Sequence, residues 1–447
     1  MRHETKLFSK LKFKFTLELF NLHKQYKKLL TKVTRLAYNS FWTTQVLEAG
    51  TDSRKIWNIV NKLLNRKDEK EPGDSFYKGN DSLGHKIFTK DPKEISNLFN
   101  SFFSSIGPDL AKKIYCNRDE FKSFLPNIPT ECPTFNFKII GNEDINKLVS
   151  KMPNKMSAGP DNLPSYVIKL AASARPNIFA TLINESLQGG FVHEQFKATQ
   201  IVPIFKSGDN SSVNNYRPIS LINTISKLLE KVVIGQLMEH FQTNNLIYNR
   251  QYGFREGHSC AHAMHNFIAE IEKNLTKIDN KEMIVSSLFI DLKKAFDTVN
   301  IDILLTKLEH YRVGNVAINW FRSYFLNRDI KTVFGGEVSD TKHLEIGVPQ
   351  GSCLGPLLFS IYVNDMYMSV PNAVAILFAD DTTILNKAPT YDELWSAIFA
   401  LLTRLDHWLR ANLLTINLDK TKIMLFNLKK TPNKPLFFIF KTLSLNR

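Results

Sequence analysis

A chain of 447 residues, 43% of them hydrophobic, can bury a sizeable core and form two or three domains, which excludes a disordered protein. Its 58 Lys and Arg against 43 Asp and Glu leave a formal net charge of +15, which points to a polyanionic partner, most commonly nucleic acid. Four cysteines (Cys116, Cys132, Cys260, Cys353) without CxxC spacing argue against a zinc ribbon or a disulfide framework, and no apolar run approaches the roughly 18 residues of a membrane span; an intracellular protein of the cytoplasm or nucleus, with no membrane partner, is expected.

Residues 1–60 hold twelve Lys or Arg against four Asp or Glu, so +8 of the net charge sits there. Apolar residues at Leu7, Leu11, Phe15, Leu19, Leu22, Tyr26, Leu29, Leu30, Val33 and Leu36 recur at helical spacing among lysines, which predicts one or two basic amphipathic helices over 5–47. Two readings stay open for them: packing on a neighbour with a solvated lysine face, or the same packing with added contacts to nucleic-acid phosphates. The polar, Gly-containing stretch 65–91 predicts a linker or exposed loop, 92–114 a helix, and the proline-rich 116–135 a connector.

Further on, 143–152 reads as a short helix, and a Gly-Pro turn follows at 157–164, where Gly159 permits close backbone approach. Residues 198–206 and 216–220 read as strands joined by the polar turn 207–215. The stretch 251–259 leads into a helix, and there His258, Cys260, His262 and His265 cluster. They lack the HExxH order and have no remote CxxC partner, so a metal site is the weaker reading of them. Helices are predicted at 301–311 and 315–327, then a hairpin of 330–334 and 342–346 about Gly335-Gly336. A Gly- and Pro-bearing loop, 347–356, opens an apolar helix; 391–412 is an amphipathic helix; 413–425 reads as a strand and turn carrying Lys420 and Lys422.

Two stretches carry chemistry. Ala373 to Leu385 reads as strand, tight turn, strand, with Asp380 and Asp381 at the turn. One Asp there is ordinary punctuation, but two adjacent carboxylates repel and raise each other's pKa unless a cation sits beside them, and magnesium takes hard oxygen ligands of this kind. Upstream, Val285-Ser-Ser-Leu-Phe-Ile-Asp291 is an apolar strand ending on a third carboxylate. Three acids from two non-contiguous strands suffice for a two-metal phosphoryl-transfer site, whose ions stand about 3.5–4 Å apart.

The ordered series over about 150–427, centred on Phe378-Ala379-Asp380-Asp381, resembles the reverse transcriptase domain of a non-LTR retrotransposon of the LINE-like, jockey type. The resemblance implies an α+β fold: the palm and fingers of a right-hand polymerase, preceded by a basic helical N-terminal segment. It implies that Asp291, Asp380 and Asp381 are catalytic and hold two Mg2+ ions, with Mn2+ as the substitute. It further implies that Lys206, Arg217, Gln350, Gly351 and Lys420 bind the nucleotide, that Phe296 packs against its sugar, and that Arg255 contacts the template backbone. Read alone, Lys206, Arg217 and Lys420 are surface cations and Phe296 is a core aromatic. The implied reaction is template-directed addition of deoxynucleotides to a primer 3′-hydroxyl, with RNA template, DNA primer and dNTPs as partners and no oligomeric state specified.

The domains expected are 1–135, a basic helical segment and linker; 136–427, fingers and palm; and 428–447, the truncated start of a thumb, because the pattern breaks beyond Asn427. No endonuclease, RNase H or zinc-knuckle module is recognisable. An excised, degraded or incompletely recorded copy is therefore expected, and the competing expectation is an impaired relic that only binds nucleic acid.

Overall fold

A computed structural model of the chain describes residues 16–50, 52–63, 73–80, 84–117, 119–154, 156, 158–275 and 283–427. Two units result, Met1–Pro72 and Gly73–Arg447. In the first, the run Leu17–Ala49 contains neither Gly nor Pro and forms one helix of 33 residues. The Thr16 hydroxyl caps it by accepting from the Leu19 N–H at 3.3 Å, and Gly50, with φ 54°, ends it. A second helix, Ser53–Leu63, follows. Leu29, Val33 and Leu36 stay more than half exposed along the first helix. The part of the predicted helical stretch before residue 16 and the thumb-like 428–447 lie outside the described residues.

The second unit begins well before the expected boundary at residue 135. Residues 76–80 and 86–89 form an antiparallel hairpin, β1 (Phe76–Asn80) and β2 (Lys86–Thr89), where the sequence suggests only linker. Phe76 is the cause, since its ring is fully buried against Phe99, Tyr216 and Phe334. The helix Pro92–Ala111, capped by Asp91, lays Ile95, Phe99 and Phe103 into the same cluster. That cluster covers a five-stranded sheet of β3 (Thr199–Phe205), β4 (Tyr216–Ile222), β6 (Asp329–Phe334), β7 (Glu337–Val338) and β8 (Lys342–His343), in which β3 runs antiparallel to β4 and parallel to β6. The 330–346 hairpin thus joins the sheet of β3 and β4, a pairing that local pattern cannot disclose.

The other sheet is antiparallel, ordered β11 (Lys422–Phe426), β5 (Ile284–Ile290), β10 (Asp381–Ala388), β9 (Val374–Phe378). Along β5 alternate residues serve two cores, so both faces of the strand are buried. Leu288 and Ile290 join the main core with the helices Gly355–Tyr362 and Tyr391–Ala411, while Val285 faces Ala263 and Ile271 of the helix Cys260–Leu275. Beneath the sheet the buried Lys307 and Asp365 form an ion pair, which Trp408 completes by donating its indole N–H to Asp365 at 3.1 Å. The mixed helices and sheets make the unit α+β, consistent with the expected class.

Candidate active site

The three carboxylates are placed by strand register. Pairing of Thr382 with Ile290 brings Asp381 and Asp291 to the same end of the sheet. Asp380 sits in the two-residue turn between β9 and β10, beside Ala379, whose φ of 58° is a left-handed conformation that costs a non-glycine residue about 1–3 kcal/mol. The turn is braced from outside. Buried Gln251 accepts the Gly253 N–H at 2.9 Å and the Ala379 N–H at 3.4 Å, while the Tyr252 N–H donates to the Leu377 carbonyl at 2.8 Å.

Asp291 receives the Asn417 side-chain amide at 2.7 Å and stands 3.7 Å from the Lys420 ammonium. Burial, then repulsion from Asp380 and Asp291, raises Asp381 above the usual carboxylate range, against the pull of Lys420. Among the described residues, no three His, Cys, Asp or Glu side chains stand at mutual metal-ligand spacing.

Asp291 and Asp380 open onto a cleft of about 500 Å³ whose walls include Lys206, Arg217, Phe296, Gln350 and Lys420. Lys206 and Arg217 come from the end of the β3–β4 hairpin, held by the Lys206 N–H donating to the Asn215 carbonyl at 2.8 Å. Burial, together with the nearby Lys420 and Arg217 charges, lowers the Lys206 pKa. One face of Phe296 stacks on Phe359, with centroids 4.8 Å apart, as a core aromatic would, and the residue also lines the cleft. Gly351 has φ 120°, and a Cβ there would stand 2.5 Å from the Ser220 carbonyl oxygen, so only glycine allows this close crossing of loop and strand.

Arg255 stands apart from this group. It is half-buried, donates to the Gln251 carbonyl at 3.0 Å and serves to close its own loop. Sequence reasoning passed over Asn417, Gln251, Asp297 and Glu230. Glu230 is buried with Leu228, Leu229, Val232 and Val233 of one helix, but in the sequence it stands next to Lys231 and reads as one of a surface charge pair. Asn417, inside a stretch read as strand and turn, carried no signal.

The two sheets thus meet at one cleft lined by the carboxylates Asp291 and Asp380 and by the cations Lys206, Arg217 and Lys420. Residues 204–440 match the family described as reverse transcriptase (RNA-dependent DNA polymerase), and the chain belongs to that family. It is similar to the probable RNA-directed DNA polymerase from transposon BS of Drosophila melanogaster, 30% identical over 331 residues, 70% of this chain and 35% of that protein. It is also similar to the RNA-directed DNA polymerases of the same species from mobile element jockey (28% identical, 62% of this chain, 31% of the relative) and, as a probable one, from transposon X-element (27%, 66% and 32%). Its reverse transcriptase domain is accordingly of the LINE-like, non-LTR kind. The chain spans about a third of the length of these curated relatives.

Proposed function

We propose that this chain carries out RNA-directed DNA synthesis, adding dNTPs to a DNA primer annealed to an RNA template. The observation that supports this best is the convergence of Asp291 and Asp380 with Lys206, Arg217 and Lys420 on one cleft. The acids suit two Mg2+ ions, or Mn2+ in their place: all three are hard oxygen donors, and Asp381, raised first by burial and then by repulsion from Asp380 and Asp291, stands where a cation would favour its charged form. Asp291, Asp380 and Asp381 would hold the ions, which when bound supply charge neutralisation at the reacting phosphate.

The chain's own side chains do the rest by positioning. Lys206 and Arg217 bind the triphosphate, Arg as a planar fork and Lys as a point charge. Lys420, now beside Asp291, is placed to reach the leaving pyrophosphate and donate a proton to it. Phe296 lies against the sugar, where its ring leaves no room for a 2′-hydroxyl, and Gln350 with Gly351 lines up the nucleotide with the template base. The intact acids give no support to the relic reading. The test is extension of oligo(dT) on poly(A) with magnesium by the 447-residue chain and by Asp380→Asn. Template-dependent incorporation lost in the variant is expected, and incorporation that survives within a few-fold would sink the proposal.

A further inference from the structure

The loop that carries Gln350 is already fixed through its backbone. The Gly347 N–H donates to the Val299 carbonyl at 2.8 Å and the Val348 N–H to the Phe296 carbonyl at 2.9 Å, while the Ser220 N–H donates to the Gln350 carbonyl at 2.6 Å. At the far end buried Glu230 accepts the Cys353 and Leu354 N–H groups at 2.6 and 3.3 Å. None of these bonds determines where the Gln350 side chain points, and a terminal amide torsion is broad and roughly two-fold.

One contact does. The Asp297 carboxylate accepts from Gln350 Nε2 at 2.9 Å. A charge-assisted bond of this kind consumes the nitrogen end of the amide and so decides which way its carbonyl faces. The other Asp297 oxygen, Oδ2, is buried with no protein partner among the described residues. A carboxylate is a costly choice where an acceptor is all that packing requires. Arg328, only 2% exposed, has a buried Nε in the same condition, and both residues line one cavity of about 20 Å³. The Arg328 guanidinium in turn lies 4.5 Å from the Tyr324 ring centroid, and the Tyr324 hydroxyl donates to Glu230 at 2.6 Å. Buried polar side chains thus stand behind both ends of the loop, Glu230 at one and Asp297 at the other.

We propose that Asp297 is a positioning residue which fixes the Gln350 amide for the incoming nucleotide; the proposal rests on the polymerase reading above. It predicts that Asp297 acts on nucleotide affinity and only through Gln350. In the full chain, Asp297→Ala should raise the dNTP KM about tenfold with kcat little changed, as expected for a lost hydrogen bond to a charged group. In a Gln350→Ala background the same substitution should add less than about twofold, the mark of two residues acting as one unit. Asp297→Asn keeps an acceptor in place and should recover most of the loss. Additive losses, or a fall in kcat at constant KM, would overturn the proposal.

A second readout needs no turnover. With 15N-glutamine labelling, the side-chain amide resonance that disappears in Gln350→Ala should move in Asp297→Ala and stay closer to its place in Asp297→Asn. An unmoved resonance overturns the proposal whatever the kinetics show. A wild-type chain that never extends a primer, with the resonance moving as expected, defeats the polymerase reading and keeps the Asp297–Gln350 tie. Should Asp297→Ala fail to fold, Asp297→Leu, of related shape and without an acceptor, takes its place.

Discussion

Two hairpins line the same cleft and are built in opposite ways. β9–β10 reverses in two residues, is flanked on one side by β5 and on the other by segment 250–252, and holds Ala379 in a left-handed conformation. β3–β4 reverses through the ten residues 206–215, tied by local bonds such as the Ser211 N–H to the Asp209 carboxylate at 2.9 Å and the Asn215 amide to the Asp209 carbonyl at 2.8 Å. The first carries acids that repel one another, so it needs a rigid frame. The second carries cations at the end of long side chains, and attraction to phosphate can complete their placement.

The difference should show first in the size of the losses. Asp380→Asn keeps the shape and removes a charge from the rigid frame; primer extension should fall by more than about a thousandfold, or about 4 kcal/mol. Unchanged circular dichroism would assign the loss to chemistry. Next comes the frame itself. A Cβ at Gly253 would run into the backbone nitrogen of Ala379, whereas one at Gly208 in the fingers loop would stand 3.0 Å from the end of the Asn215 side chain. Gly253→Ala should therefore cost about 3 kcal/mol of stability and most of the activity, against about 1 kcal/mol for Gly208→Ala at its φ of 94°. Urea unfolding of the two variants measures this, and equal costs would erase the contrast.

The same contrast explains what could be read from the sequence. The acids and the Gly-rich loop were legible because unusual residues stand at exposed points of the pattern: Asp at the end of an apolar strand, Asp-Asp in a tight turn, Gly351 where a backbone passes close. Most helices and both hairpins were legible from periodicity. The buried supports were not. Gln251, Asp297 and Asn417 are ordinary polar residues in turns, and only the packing of distant segments gives them their partners. The same holds for Phe76, whose burial joins an apparent linker to the core that covers β3, β4 and β6. The tie of Arg255, a residue expected at the template, to the Gln251 carbonyl of its own loop was equally hidden.

Within the fingers hairpin, Arg217→Ala should raise the dNTP KM about tenfold, near the worth of one charge-assisted bond, with a smaller change in kcat. Raised ionic strength should weaken wild-type nucleotide binding in the same direction, because Arg217 is exposed. A steady-state comparison at two salt concentrations decides this, and a loss as large as that of Asp380→Asn would place Arg217 with the rigid machinery. At the junction of the two systems, Phe296→Val should raise the ribonucleotide share of kcat/KM by about tenfold, since a ring replaced by a smaller side chain opens space for a hydroxyl. It should also cost about 1 kcal/mol through loss of the stack on Phe359. An unchanged ratio with lowered stability would return Phe296 to the core alone.

The smallest effect expected is one of pH, and it belongs to the turn that leads from β5 toward the Gln350 loop. Burial pushes the Asp297 carboxyl up from 3.8 to about 6, with Lys294 and the Gln350 hydrogen bond opposing. The folded state therefore holds this proton more tightly than the unfolded chain does. Its contribution to stability is fully present below about pH 4 and is lost as pH rises through about 6. The shift taken at face value implies about 3 kcal/mol, but a buried site relaxes and admits water when it becomes charged, so about 1 kcal/mol is expected to appear. Asp297→Asn cannot ionise and removes the dependence, so the quantity to follow is the difference in unfolding free energy, wild type minus variant, from urea titrations. It should be flat below about pH 4, fall by about 1 kcal/mol by about pH 7, and have its midpoint between those limits. Other carboxylates titrate in the same range in both proteins and cancel in the difference. A difference that does not change with pH would mean that Asp297 is as well solvated in the fold as in the unfolded chain, and one that rises with pH would mean that Lys294 and Gln350 outweigh its burial.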